Sequence, residues 1–392
     1  MKFSVVESLL ATVLLVSPWC RVSAQGTDLG GGVVTRTDVE YCADVTLDIR
    51  DIKQAIAGGS TKEAIGTYLN GRNSESPDGG LFSLSRLSTD LGKEAIDKMS
   101  PPFLFQLYGL GGRSMDANAL SGFGTYADSY VRSAIQNGKA TAATAALVLN
   151  VWMYAADVLY KGASMCQKKM EADNPAQFDV GNAGLDEFIA LWIGSGQTHG
   201  SNQGFGLYAM AEQADVLFDT IYPTTGNQLA ESRVNQQLKS LYQEGASLFS
   251  MPDVCTKSNP DSAKKLWSII NRINTQMYIP IVQLLIISIL EQDDAAIQMY
   301  ATAVVPQVSR CRPSIFDRLK EELLEGDINF KRTEIILADL QQIYACFGIP
   351  CNDIGVLVND YKNYDMPPCS VVVDDAPLAL YQPTTNVQPV SY

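Results

Sequence analysis

The 392-residue chain carries 43 acidic and 29 basic side chains, a formal net charge of −14, and one histidine. That balance argues against nucleic-acid backbones and anionic lipid surfaces as partners, since both need a basic face. The lone imidazole, His199, excludes most histidine-built metal sites and makes any Ser-His-Asp or Cys-His mechanism depend on one residue. A metal site in this chain is expected to rely on oxygen donors.

The first predicted element is a leader. Lys2, the apolar run LLATVLLV at Leu9 to Val16 and the small residues Val22-Ser23-Ala24 predict a signal peptide over 1–24. Its apolar run is too short to span a bilayer, so an exported chain is expected. A flexible leader is expected over 25–38. Next, Val45, Ile49, Ile52 and Ile56 recur at helical steps before Gly58-Gly59, which predicts an amphipathic helix and its stop. The uncharged stretch Ala140 to Ala156 invites a membrane reading that Asn150 and the following Asp157 weaken. The second such run, Met277 to Leu290, holds Pro280 and Gln283. Both are predicted to be core helices buried on several sides. Strand-like alternation is confined to a short edge at Ser370 to Val373.

An internal duplication is expected beneath this pattern. At an offset of about 124 positions, Cys42, Glu63, Ile65, Asn150, Met153, Tyr154 and Val158 match Cys166, Glu187, Ile189, Asn274, Met277, Tyr278 and Val282. The resulting division is a first helical repeat over 39–165, a second over 166–310, a partial C-terminal repeat over 311–372 and a disordered tail over 373–392. The fold class is all-α: internally duplicated helical bundles, two related lobes, stapled by disulfides. After leader removal Cys42, Cys166, Cys255, Cys311, Cys346, Cys351 and Cys369 remain. An oxidising compartment should pair most of them, and an odd number leaves one over. The spacing leaves the connectivity open.

Three features could carry chemistry. In NAGLDEFIALWIGSG, Asp186 and Glu187 are carboxylates flanked by small and apolar neighbours. Buried, they would need a cation or donors to stay charged; alternatively they complement the dipole of a helix first turn. The glycine-rich loop Gly194 to Gly206 feeds a helix over Leu207 to Phe218, an anion-binding arrangement in which Ser195, Gly196 and Gly204 would face the anion. The alternative is a plain connector with an exposed His199. Tyr154 and Tyr278 occupy equivalent repeat positions and offer phenols. A trivalent cation can displace a phenol proton that ordinarily leaves at a pKa of about 10, whereas Mg(II) or Ca(II) scarcely would. The competing reading of these tyrosines is core packing with a hydrogen-bonded hydroxyl.

Several segments in consistent order add to this: DIRDIKQAIAGGSTKEAIGTYLNGRNS, NVWMYAADVLY, LDEFIALWIGS, GFGLYAMAE, MYIPIVQLLI and IYACFGIPCNDIGVLV. From about Cys42 to Cys369 the chain resembles the algal low-iron-inducible periplasmic (iron-assimilation) proteins, the family that includes the phytotransferrins. The resemblance implies an exported or surface-held helical protein that assists ferric uptake, binding Fe(III) together with carbonate. On donor chemistry, Tyr154, Tyr278, Asp186, Glu187 and Tyr208 become the expected metal ligands, and Ser195, Gly196 and Gly204 the expected carbonate cradle. The expected function is ferric binding for uptake or buffering, without enzymatic turnover, with a cell-surface receptor or reductase as recipient. Its rivals are a surface or wall structural protein on the same scaffold and an extracellular hydrolase depending on His199.

Overall fold

The computed structural model describes residues 26–75, 79–90, 125–174, 183–222, 230–309, 311–325 and 328–358. The signal peptide, the disordered tail, the Ser370 to Val373 edge and Cys369 lie outside the described residues. The described chain is helical. Its elements are α1 (Glu40–Ala43), α2 (Val45–Ala57), α3 (Thr61–Asn70), α4 (Tyr126–Gln136), α5 (Ala142–Glu171), α6 (Ala183–Ile193), α7 (Leu207–Leu217), α8 (Arg233–Leu248), α9 (Asp261–Glu291), α10 (Asp294–Val304), α11 (Pro313–Leu323) and α12 (Thr333–Phe347). Among the described residues the only sheet is a two-residue antiparallel pair, Ile221–Tyr222 with Glu231–Ser232.

Local chemistry sets several of these boundaries. Val45, Ile49 and Ile52 are buried along one face of α2, and the helix gives way to Gly58 and to Gly59, which has φ +76°. Gly348, at φ +68°, closes α12 in the left-handed conformation that glycine adopts without a Cβ clash. Ser232 caps α8 by accepting from Asn235 N at 3.1 Å, and Asp293 caps α10 by accepting from Ala296 N at 3.0 Å.

Helices α5 and α9 form the centre. Each is long and apolar enough to cross a membrane, yet 94% of the qualifying window in each is buried inside the chain. They are core helices, as their polar interruptions predict. Trp152 on α5 donates to the Met277 carbonyl of α9 at 3.0 Å and sets its ring edge-on to Tyr278, 5.0 Å between centroids. The two share length and burial but differ inside. Helix α5 passes through a π-helical stretch at Leu147–Val151, whereas α9 continues through Pro280. At the offset positions the partners differ too. Asn150 donates to the Tyr68 hydroxyl, the Leu84 carbonyl and Ser88, whereas buried Asn274 faces the Tyr278 hydroxyl.

Two disulfides tie the bundle: Cys166, late in α5, to Cys255, and Cys311 to Cys346 in α12. Cys42 and Cys351 are also disulfide-bonded, and no described cysteine is free.

The expected flexible leader over 25–38 requires correction over 26–38. That stretch is a strap packed on the bundle, with Leu29 and Val33 only 4% and 3% exposed. Gly30 bridges to Gln197, the Gly31 amide donates to the Gln197 carbonyl at 3.3 Å, and Lys239 donates to the Gly31 carbonyl at 3.0 Å. Its tertiary partners lie about 150 to 208 residues away in sequence, so local composition, rich in glycine and threonine, reads as loose chain while the tertiary contacts hold it.

Candidate metal centre

Asp186 and Glu187 are consecutive on α6, and their carboxylates serve different neighbours. Asp186 Oδ2 accepts from the Arg36 amide (3.2 Å), the Thr37 amide (3.0 Å) and the Thr37 hydroxyl (2.7 Å), while Oδ1 accepts from Tyr242 (2.7 Å). Burial pushes its carboxyl above the ordinary range, and those donors oppose the shift. Asp186 is the anchor of the strap.

Glu187 faces α5. There the Tyr154 hydroxyl donates to Glu187 Oε1 at 2.8 Å. The approach depends on two small residues at the helix crossing: Gly184 lies against Gly162, and a Cβ on Gly184 would meet the Val158 carbonyl at 3.0 Å. One turn along α5 from Tyr154 stands Asp157, paired with Lys161 at 2.6 Å. Burial pushes the Glu187 carboxyl up to about 7; the Tyr154 hydrogen bond and the Lys161 charge oppose this, and the Asp157 charge adds to it. Tyr154, Asp157 and Lys161 follow each other at steps of three and four, so one stripe of α5 presents a phenol, a carboxylate and an ammonium to Glu187. Sequence reasoning took Asp157 only as an interruption of an apolar run and passed over Lys161. The same stripe spacing, applied to Tyr154, was the signal that could have found both.

Tyr208 lies in a second polar set. Its hydroxyl donates to Glu231 Oε1 at 2.6 Å and accepts from the Gly200 amide at 2.9 Å. Lys239 sits 2.5 Å from the same Glu231 oxygen, and His199 Nδ1 stands 3.5 Å from it. Burial and the neighbouring Glu231 push the Tyr208 phenol far above its ordinary value. Two further buried carboxylates, Glu212 and Asp215, are held by Ser232 and Asn235 and by Thr220. Tyr278 lies in another place again. Its hydroxyl donates to Gln307 and its ring stacks on Phe347 at 4.1 Å between centroids. The five expected ligands therefore fall into four hydrogen-bonded sets, and only Tyr154 and Glu187 are brought together.

The glycine-rich loop is tightly built. The Ser195 hydroxyl donates to Asp44, and its amide donates to Thr46 Oγ1 at 3.0 Å. The loop interior holds the Gln197 carboxamide, whose Nε2 donates to the Thr198 and Ser201 carbonyls at 2.8 Å each. A Cβ on Gly204 would strike Gln197 Oε1 at 1.9 Å, whereas one on Gly196 would meet nothing within 4 Å. Of the three positions expected to cradle an anion, Ser195 and Gly204 thus face partners within the chain.

Among the described residues no three His, Cys, Asp or Glu side chains stand together as a metal-holding group. The Tyr154 set differs in kind, being two carboxylates and a phenol beside one ammonium. These are hard oxygen donors, suited to a hard cation of high charge.

An all-helical, disulfide-tied chain with tyrosine–carboxylate pairs sunk in its core is the class of protein that fold and site define. Residues 8–252 match the family model Fea1, low iron-inducible periplasmic protein, and this chain belongs to that family. The matched span includes Tyr154, Asp157, Lys161, Asp186, Glu187 and Tyr208 and stops short of Tyr278. No curated protein and no solved structure matches the chain.

Proposed function

We propose that this protein binds ferric iron as cargo outside the cytoplasm, for uptake or buffering, and catalyses no reaction. Tyr154, Glu187 and Asp157 are the donors, and carbonate, as the resemblance implies, completes the coordination. One observation carries the reading: a tyrosine hydroxyl 2.8 Å from a buried glutamate that also feels the charge of Asp157, within the span that the low-iron-inducible family shares. Burial keeps water from competing with the donors, and the anionic oxygens offset the charge of the ion. Acidification protonates the carboxylates and the phenolate and releases it. A surface receptor or reductase would receive the ion. The membership of the chain in a family described as periplasmic supports the location.

Titration of the purified protein with Fe(III) at neutral pH in bicarbonate tests this. The expected result is a visible tyrosinate-to-iron charge-transfer band that disappears in Tyr154→Phe. Affinity should fall by at least the roughly tenfold to hundredfold seen on losing an outer-shell partner. A colourless protein without ferric affinity would overturn the reading and favour a structural role for the same scaffold.

A further inference from the structure

We propose that Lys161 is a resident competitor of the site, a tethered ammonium that sets how strongly a cation must bind in order to load. The inference rests on the reading of Tyr154, Asp157 and Glu187 as donors. Lys161 Nζ stands 2.6 Å from Asp157 Oδ2. The two ends of that pair differ in access: the Lys161 side chain is 34% exposed, the Asp157 side chain 9%. The carboxylate is fixed in the wall of the bundle, whereas the long amine reaches it from the surface and can swing back to water without unfolding anything.

An incoming cation must take Asp157 from that ammonium. Lys161 thus subtracts one increment, the strength of its own pair with Asp157, from the binding of every cation that uses this carboxylate. Ferric iron, bound through a phenolate and two carboxylates, tolerates the loss. A divalent ion, which leaves the phenol protonated and gains less from two carboxylates, does not. Without the ammonium, the same oxygens would accept weaker ions. Lys161 also offsets the Asp157 charge, which acts on buried Glu187.

The test uses the full exported chain and two probes, Ga(III) as a redox-silent trivalent ion and Mn(II), titrated calorimetrically at neutral pH. Lys161→Gln should tighten both by about three- to fivefold, the upper end for removing a partly exposed ion pair, and so make Mn(II) binding measurable. Lys161→Arg keeps the charge and should match the parent within about twofold on the same scale. In an Asp157→Asn background the Lys161→Gln effect should vanish, which guards against a misleading result if the single variant folds poorly. Unchanged Ga(III) and Mn(II) affinities in Lys161→Gln, with Ga(III) still bound by the parent, would overturn the inference and leave the site standing. A parent that binds neither Fe(III) nor Ga(III) would overturn both.

Discussion

Asp186→Ala is expected to lower unfolding stability by about 3 kcal/mol or more, the scale for stranding several buried donors of an ionised acceptor. The carboxylate takes the amides of Arg36 and Thr37, the Thr37 hydroxyl and the Tyr242 phenol, and it is wholly buried. Truncation leaves these donors facing a cavity and loosens the strap that carries Leu29 and Val33 into the core. Urea unfolding monitored by circular dichroism reads the loss. Hydrogen exchange locates it, since the amides of Arg36 and Thr37 should exchange much faster while those of α9 keep their protection. A loss below about 1 kcal/mol, the size of one ordinary hydrogen bond, would show that the strap is held by other contacts.

Glu187→Gln should act in the opposite direction, and only at higher pH. Burial pushes the folded carboxyl up to about 7, from an ordinary value of 4.5. A carboxyl raised on folding binds its proton more tightly in the native state. Its penalty is therefore absent below about pH 4.5, grows between 4.5 and 7 and is complete above 7. That shift corresponds to roughly 3 kcal/mol at pH 8. Glutamine keeps the acceptor for Tyr154 and does not titrate, so the variant should be more stable than the parent at pH 8 and indistinguishable from it at pH 4. Asp48, Asp186, Glu212 and Asp215 are raised in the same sense by burial, and their contribution is common to both proteins. Parallel stability curves for parent and variant across that range would refute the prediction.

Much of the framework was legible because it rests on local pattern. The Val45, Ile49, Ile52 stripe, the glycine stop after it, and the polar breaks in the two long apolar runs all report on a helix and its environment within a few turns. Glu187 and Tyr154 could each be singled out as chemically unusual. Their pairing could not be read from spacing, because it depends on how α5 and α6 cross at Gly162 and Gly184. Tyr278 fails to join them for the same reason: its neighbours are Gln307 and Phe347 of α12, 29 and 69 positions further along the chain. The strap was misread because the residue that holds it, Asp186, lies about 150 positions downstream. Asp157 and Lys161 are the exception, since their spacing of one and two turns from Tyr154 was visible throughout.

The link between Cys166 and Cys255 has a consequence for how such a chain matures. It closes a segment of 89 positions that contains Glu187, Tyr208 and Lys239 and begins on the helix bearing Tyr154. Constraining a span of that length removes about 4 to 5 kcal/mol of disorder from the unfolded chain on the loop-entropy account. Before oxidation, the α5 and α6 partners must find each other without that restraint. Synthesis in a reducing environment would thus yield a looser chain, and an oxidant becomes in effect an assembly factor for the tyrosine–carboxylate pair.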